Sequence, residues 1–407
     1  MLRTGALAGL TVLELGSTVA GPFCGRLLAD FGARVIKIED PGGDVIRSFG
    51  ESHEGVSLYA ASILRNKSVV SVDLRTPAGR DVVRHLAAKV DILIENFRPG
   101  TLEKWGLGYD ALAAANPGLI LVRISGFGQD GPYSGRPGYG IISEAMSGLR
   151  SITGDPDRPP ARIAMPMTDY LTGLYAAFGA MVALAERGAS GRGQVVDAAL
   201  SESAFSLMES FVPAYDKLGT IPQRLGPRMA GAAPNNLYTT ADGEHIHIAA
   251  WGQPLFKRLC AAMGTPALAD DPRFQDLRIR AGNADALDAI IGAWTGARDL
   301  KTVESILEQA DVPASKIYTI ADIFEDPHFR AREALVQVSE PDLGAVTLAA
   351  PVPKLSRTPG AVAHAGRAPG TDTERVLAEF GDYSPQQIAK LLEDGVVHAA
   401  ARRPDPA

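Results

Sequence analysis

Residues 11–39 read TVLELGSTVAGPFCGRLLADFGARVIKIE, and their pattern decides the fold. Thr11-Val-Leu-Glu-Leu15 is a short apolar run closed by Gly16, the signature of a buried strand. A helix is expected over about 21–32, with Phe23, Leu27, Leu28 and Phe31 on one face, followed by a second strand, Arg34-Val-Ile-Lys-Ile-Glu39. Strand, helix, strand in this order builds a parallel sheet with a right-handed crossover.

The pattern continues outward. Strands are expected at 68–74, 91–95 and 119–125, and helices at 77–89 (Pro77 at its start) and 109–115. That is a doubly wound, Rossmann-like α/β domain. Residues 126–138 are rich in Gly and Pro and read as a long loop. A long helix follows at about 168–187, then a strand and helix at 194–212. The first part of this large domain therefore spans 1–212, and 213–235 reads as a linker. A smaller α+β domain is expected over 236–325, opening with strands Asn236–Thr240 and His245–Ala249 that turn at Asp242-Gly243. Residues 326–407 return to the large domain, with helices near 371–380 and 384–394 and a polar tail expected to be disordered.

Composition narrows the function. The 407 residues are 46% hydrophobic, 21% charged and 6% aromatic, ordinary for a globular chain with two domains. A net charge of −7 argues against a nucleic-acid partner. Two distant cysteines, Cys24 and Cys260, fit a reducing compartment, and no signal peptide or membrane span is visible, so a cytoplasmic protein is expected.

Several motifs fail on context. Gly126-Phe-Gly-Gln-Asp-Gly131 matches the dinucleotide fingerprint, but Pro132, Gly135 and Pro137 follow, so no helix opens there to hold a pyrophosphate. No nicotinamide cofactor is expected. His245 and His247 share one strand face but lack a third ligand, so no metal is expected either. A Gly-x-Ser-x-Gly elbow is absent. Asp169 is more informative. With Thr168 as N-cap, it falls in the first turn of the long helix, where backbone N–H groups and the macrodipole favour a carboxylate. By itself that is ordinary helix stabilisation. Beside glycine-rich loops it also suits a nucleophile.

The assembled motifs resemble the class III CoA-transferases, the group of formyl-CoA:oxalate and carnitine CoA-transferases. They run from Val12-Leu-Glu-Leu15, Ala20-Gly-Pro22 and Leu27–Glu39 through Gly43-Asp44 with Arg47, Arg65-Asn-Lys67 and Val72-Asp-Leu74. Glu95-Asn-Phe-Arg-Pro-Gly100, Ser125–Pro132, Thr168-Asp169 with Gly173-Leu-Tyr175, and Gly191–Asp197 follow. Asp326–Arg332 and Pro341–Gly344 complete the set. The resemblance implies interlocked, ring-like homodimers, each protomer with a large α/β and a small domain. It makes Asp169 the nucleophile and coenzyme A, as acyl-CoA, the cofactor-like substrate.

The same resemblance assigns the CoA contacts. Val19 and Ala20 would border the adenine, with Leu74 and Arg75 beside the nucleotide. Asn96, Phe97 and Arg98 would run along the cofactor, with Lys104 as a phosphate partner and Arg136 and Tyr139 on the pantetheine side. Trp251 and Gln253 would line the acyl pocket, and the Gly252 N–H would help hold an oxyanion. Gly140 stands where an acidic residue is frequent, and Glu144 is a candidate substitute. Met165–Tyr170 and Pro234–Tyr238 look like members acting on succinyl-CoA and branched dicarboxylates, for which Arg47, Arg65 and Arg228 are candidate partners of a distal carboxylate. α-Methylacyl-CoA racemases share the fold, but their His-Asp base is missing here, where Tyr139-Gly140 precedes Ser147-Gly148. An intramolecular transferase, or an acyl-CoA binding module without turnover, are the other readings.

Overall fold

The structure is a computed structural model that describes residues 5–400. It divides into two compact units: one comprises the chain up to Leu149, Ile163–Pro213 and everything from His328, and the other Arg150–Arg162 with Ala214–Pro327.

The first unit is built on β1 (Thr11–Glu14), β2 (Arg34–Glu39), β3 (Ser68–Val72), β4 (Ile92–Glu95), β5 (Ile120–Ser125) and β6 (Val195–Ala199), all parallel. Their order is β3-β2-β1-β4-β5-β6, so the winding reverses between β1 and β4. Alternation along each strand feeds two cores. Val12, Val35, Ile92, Ile94 and Val122 face one layer, and Leu13, Ile36, Leu93 and Leu121 the other. Helices α1 (Ala20–Asp30) and, later in the chain, Met167–Ser190 cover the first layer. Helices α2 (Pro77–Ala87) and α3 (Tyr109–Ala115) cover the second together with Thr373–Glu379 and Pro385–Glu393. Most expected elements agree to within two or three residues.

Two readings of the first unit need correction. The long helix starts at Met167 with Pro166 as N-cap, so Thr168 lies inside it; its hydroxyl is buried and gives no cap. Within the expected disordered tail, Val397–His398 adds an antiparallel strand to β3. Val396 and Val397 bury apolar surface there, and the edge of β3 offers unmade ladder bonds. Residues 401–407 lie outside the described residues.

The second unit holds β7 (Asn235–Thr239), β8 (His245–Ala249) and β9 (Ala314–Lys316) in an antiparallel sheet. Its core gathers Ile246, Ile248, Phe256, Phe274, Ile291 and Leu307. The stretch read as linker begins inside a helix, Phe211–Leu218.

Beneath the β1–α1 turn lies a buried ion network. Lys67 Nζ donates to both Glu14 oxygens at 2.7 and 3.0 Å and to Pro22 O at 2.7 Å. Lys37 pairs with Asp44 at 2.9 Å and donates to Gly16 O. Asp44 Oδ1 accepts from the N–H groups of Thr18 and Ile46 at 3.0 Å. Gly25 makes room for it, since a Cβ there would collide with the Glu14 carboxylate. Removing one partner of a buried pair costs about 3–5 kcal/mol because the other charge is stranded. Lys67→Met is therefore expected to lower the urea midpoint by that equivalent, with partial recovery in Lys67→Met/Glu14→Leu.

Candidate active site

Where the winding reverses, the ends of β1 and β4 leave a crevice, the place where open α/β sheets take ligands. A cavity of about 240 Å³ lies there, lined by Ser17, Thr18 and Ala20 after β1, by Asn96–Pro99 after β4, and by Ile124–Gly126 at the end of β5. Asn96 pins the two loops together: its Oδ1 accepts from Ser17 N and its Nδ2 donates to Ser17 O, both at 2.8 Å. Glu95, directly before it, accepts from Phe97 N at 2.8 Å and from Arg123 Nε at 2.7 Å. Burial pushes the Glu95 carboxyl up to about 7 against the pull of Arg123.

The far wall comes from the Gly-Pro loop. Gly126 and Gly138 meet backbone to backbone, and a Cβ on either would fall within 2.7 Å of the other's Cα, so only glycine fits. This explains the glycines that mimic a dinucleotide motif. They let the loop fold back, and the next helix, α4 (Gly140–Met146), starts only after Tyr139. Helix α5 (Met167–Ser190) then closes the site. Its buried face is small (Thr172, Gly173, Ala176, Ala177, Ala180), and a Cβ on Gly173 would come within 2.7 Å of Ala20 O. Close packing of α5 on α1 brings Asp169 to the cavity wall.

Asp169 is partly buried, and among the described residues no other side chain bonds or pairs with its carboxylate. Burial pushes it up to about 6, offset only by its own backbone N–H. Behind it, Tyr170 OH and Tyr59 OH share a hydrogen bond of 2.7 Å, and Tyr170 stands edge-on to Phe23.

The sequence-predicted residues divide into groups. Ala20, Asn96, Phe97, Arg98, Arg136, Tyr139 and Asp169 all line the one cavity. Arg98 and Arg136 have no carboxylate partner among the described residues; Arg136 lies over the Tyr133 ring at 3.7 Å. Leu74 and Arg75 line a neighbouring cavity of about 290 Å³, which shares Ser17 and Phe97 with the first. Arg75 there is exposed and paired with Asp73. Val19 packs in a small apolar cluster with Ile46, Ile63 and Leu64 instead of lining either cavity. Lys104 is exposed on the short helix Thr101–Lys104.

Trp251, Gly252 and Gln253 belong to the second unit, where β8 passes into α6 (Gln253–Ala262). Buried Arg280 clamps that turn, donating to Trp251 O at 2.6 Å, Gln253 Oε1 at 2.7 Å and Ala233 O at 2.8 Å. Of the candidate cations for a distal carboxylate, Arg65 is excluded: it is fully buried and held by Asp30 at 2.6 Å. Arg47 is gripped by both Glu39 oxygens, and Arg228 by Asp285 and Asp288. Sequence reading missed Ser17, Thr18 and Arg280. For the first two a signal existed, the strand-ending Gly16 at a winding reversal; for Arg280 there was none. Among the described residues no His, Cys, Asp and Glu group has metal-binding spacing. Both cysteines are buried, and burial holds their thiols well above the usual range.

The profile of CoA-transferase family III matches residues 7–373. The chain belongs to CoA-transferase family III. The transferase is 46% identical over 393 residues to the succinyl-CoA–D-citramalate CoA-transferase of Chloroflexus aurantiacus, covering 96% of this chain and 98% of that one. It is 37% identical to the succinyl-CoA:mesaconate CoA-transferase of Haloarcula hispanica, covering 93% and 97%. A crystal structure of a CAIB/BAIF family protein from Brucella suis superposes with a TM-score of 0.83 at 34% identity, covering 93% of this chain and all of that one. The protein is thus an enzyme, and it takes CoA thioesters as substrates.

Asn96→Ala removes both bonds to Ser17 and is expected to cost about 1–3 kcal/mol, at about 0.5–1.5 per bond. Amide exchange at Ser17 and Thr18 should quicken, measured by hydrogen–deuterium exchange.

Proposed function

We propose that the enzyme moves CoA from succinyl-CoA to another, branched dicarboxylic acid, with Asp169 as covalent nucleophile. The observation that carries this reading is the Asp169 carboxylate itself: at the wall of the switch-point cavity, without a cation partner among the described residues, and pushed up to about 6. Such a group is ionised at neutral pH yet more basic than an ordinary carboxylate, as a nucleophile requires. Its oxygen attacks the thioester carbonyl, giving a mixed anhydride and releasing CoA thiolate. The thiolate attacks the aspartyl carbonyl, which forms the aspartyl-CoA thioester and frees succinate. The acceptor carboxylate reverses both steps, so one thioester replaces another and no ATP is consumed.

The two adjoining cavities suit an extended acyl-CoA. The nucleotide would lie by Leu74 and Arg75, and the pantetheine would pass Phe97 toward Asp169. Arg98 and Arg136 would supply local positive charge at the cavity of a chain that is acidic overall. The substrate class rests on the relatives, whose names pair succinyl-CoA with citramalate, malate and mesaconate. We further propose a cytoplasmic homodimer of interlocked protomers, each with a large and a small domain. Buried, unpaired cysteines support the compartment, and no described helix is long and apolar enough to cross a membrane. An exposed apolar stripe on α5, Leu174, Phe178 and Val182 at intervals of four, supports the dimer.

With succinyl-CoA and a panel of diacids, mass spectrometry should find new acyl-CoA esters with the parent enzyme and none with Asp169→Ala. Deuterium entering the α-carbon of a 2-methylacyl-CoA without CoA exchange would favour a racemase instead. Because the raised group is the base form's acid, kcat/KM should fall as pH drops through about 6 and level off above it. The same shift means that ionising Asp169 costs the fold, so stability attributable to it is lost as pH rises through about 6. Asp169→Asn should accordingly melt higher than the parent at pH 8. Light scattering should give twice the 42.9 kDa chain mass, and Phe178→Glu should lower it.

A further inference from the structure

The Gly-Pro loop that forms the far wall of the cavity is anchored early. Gly128 N donates to Ser125 Oγ at 3.0 Å, and Gln129 N to Asp197 Oδ2 at 2.8 Å. The loop then closes a turn in which Arg136 N donates to Tyr133 O at 2.9 Å. The two ends of such a turn lie side by side. Here the Arg136 guanidinium sits over the Tyr133 ring, 3.7 Å from its centroid, and Phe127 meets that ring edge-on with centroids 6.1 Å apart. Arg136 lines the cavity, and Tyr133 does not.

Other arginines around the site are held differently. Arg47, Arg75 and Arg123 are each gripped by carboxylates, which neutralise the charge and occupy its N–H groups. An aromatic ring makes neither demand. It attracts the guanidinium through its face, so the donors around the edge keep their charge and stay available to an anion. Without that contact, a long flexible side chain would have to be ordered at the moment of binding, at an entropic cost.

We infer that Tyr133 is a positioning residue for the transferase: its ring holds the Arg136 guanidinium at the cavity wall as a preformed, uncompensated cation for an anionic group of the CoA moiety. The inference rests on the reading of this cavity as the acyl-CoA site. Because Tyr133 acts through Arg136, it governs how tightly the CoA thioester is held and leaves the chemistry at Asp169 alone. Its half-exposed place on a loop anchored elsewhere means that the fold does not depend on it.

Calorimetric titration with CoA and steady-state kinetics with succinyl-CoA test the role. Tyr133→Leu should weaken CoA binding about fivefold and raise KM for succinyl-CoA to match, within the range of one cation–π contact. Its kcat should stay within about twofold of the parent. Tyr133→Phe should restore binding, since the ring and not the hydroxyl makes the contact. A double-mutant cycle separates positioning from general loosening of the loop. Arg136→Ala should weaken CoA binding at least as much, and adding Tyr133→Leu to it should change nothing further. Unchanged CoA binding in Tyr133→Leu, or a second loss on top of Arg136→Ala, overturns the positioning role. Equal losses in Tyr133→Phe and Tyr133→Leu overturn it as well. Should Tyr133→Leu fail to fold, a pentafluorinated phenylalanine introduced at 133 keeps the ring's shape and reverses its quadrupole; it should weaken CoA binding, and parent-like binding overturns the inference. A parent enzyme that neither binds CoA nor transfers it from any acyl-CoA overturns the reading of the cavity, and the role of Tyr133 with it.

Discussion

Four buried charges under the β1–α1 turn hold the site together. Lys37, Lys67, Glu14 and Asp44 are out of water, and ions survive there only when each finds its partners. Those partners come from β1, β2, the start of β3 and the turn at Asp44, so the pairing is satisfied in one arrangement of these segments. The same groups hold main-chain atoms of the site loop. Lys37 takes Gly16 O, Lys67 takes Pro22 O, and Asp44 takes Thr18 N–H. The loop that borders the cavity is thus set from below by electrostatics. Its rim needs little rigidity of its own.

From that base the crevice follows. Asn96 ties the β4 end to Ser17, and the Glu95–Arg123–Glu103 chain braces the turn carrying Phe97 and Arg98. The small face of α5 brings its first turn against α1, where a larger residue at Gly173 would push the helix outward. In this setting Asp169 stands apart from its acidic neighbours. Glu14, Asp30, Glu39, Asp44 and Glu95 are each neutralised by Lys or Arg, while Asp169 is half-withdrawn from water and has no such partner among the described residues. On the proposed reading, chemical reactivity is concentrated where compensation is missing.

The second unit follows a different logic. Its Trp251-Gly252-Gln253 turn is held by a buried arginine that donates to main-chain carbonyls and stacks on Phe256 at 4.2 Å. A guanidinium is suited to that task because its donors splay in a fixed plane and serve several acceptors at once. The amide oxygen of Gln253 is taken up in the clamp, which leaves Trp251 as the exposed side chain of the turn.

By itself the sequence determined the doubly wound sheet and the family. Buried parallel strands must be near-continuous apolar runs, and crossover helices must show a 3.6-residue stripe, so both are written locally in residues 11–125. It also singled out Asp169, through motifs shared along the whole chain. Its errors were ones of partnership. Arg65 resembles a free cation in sequence but is fully occupied by Asp30, 35 positions away, and Val397 looked like part of a loose tail until the edge of β3 gave it somewhere to bond. Local pattern governs which elements form because backbone hydrogen bonding and burial act over a few residues. Which charge is neutralised, and which carboxylate is left bare, depends on contacts between segments far apart in the chain, and only the tertiary structure decides those.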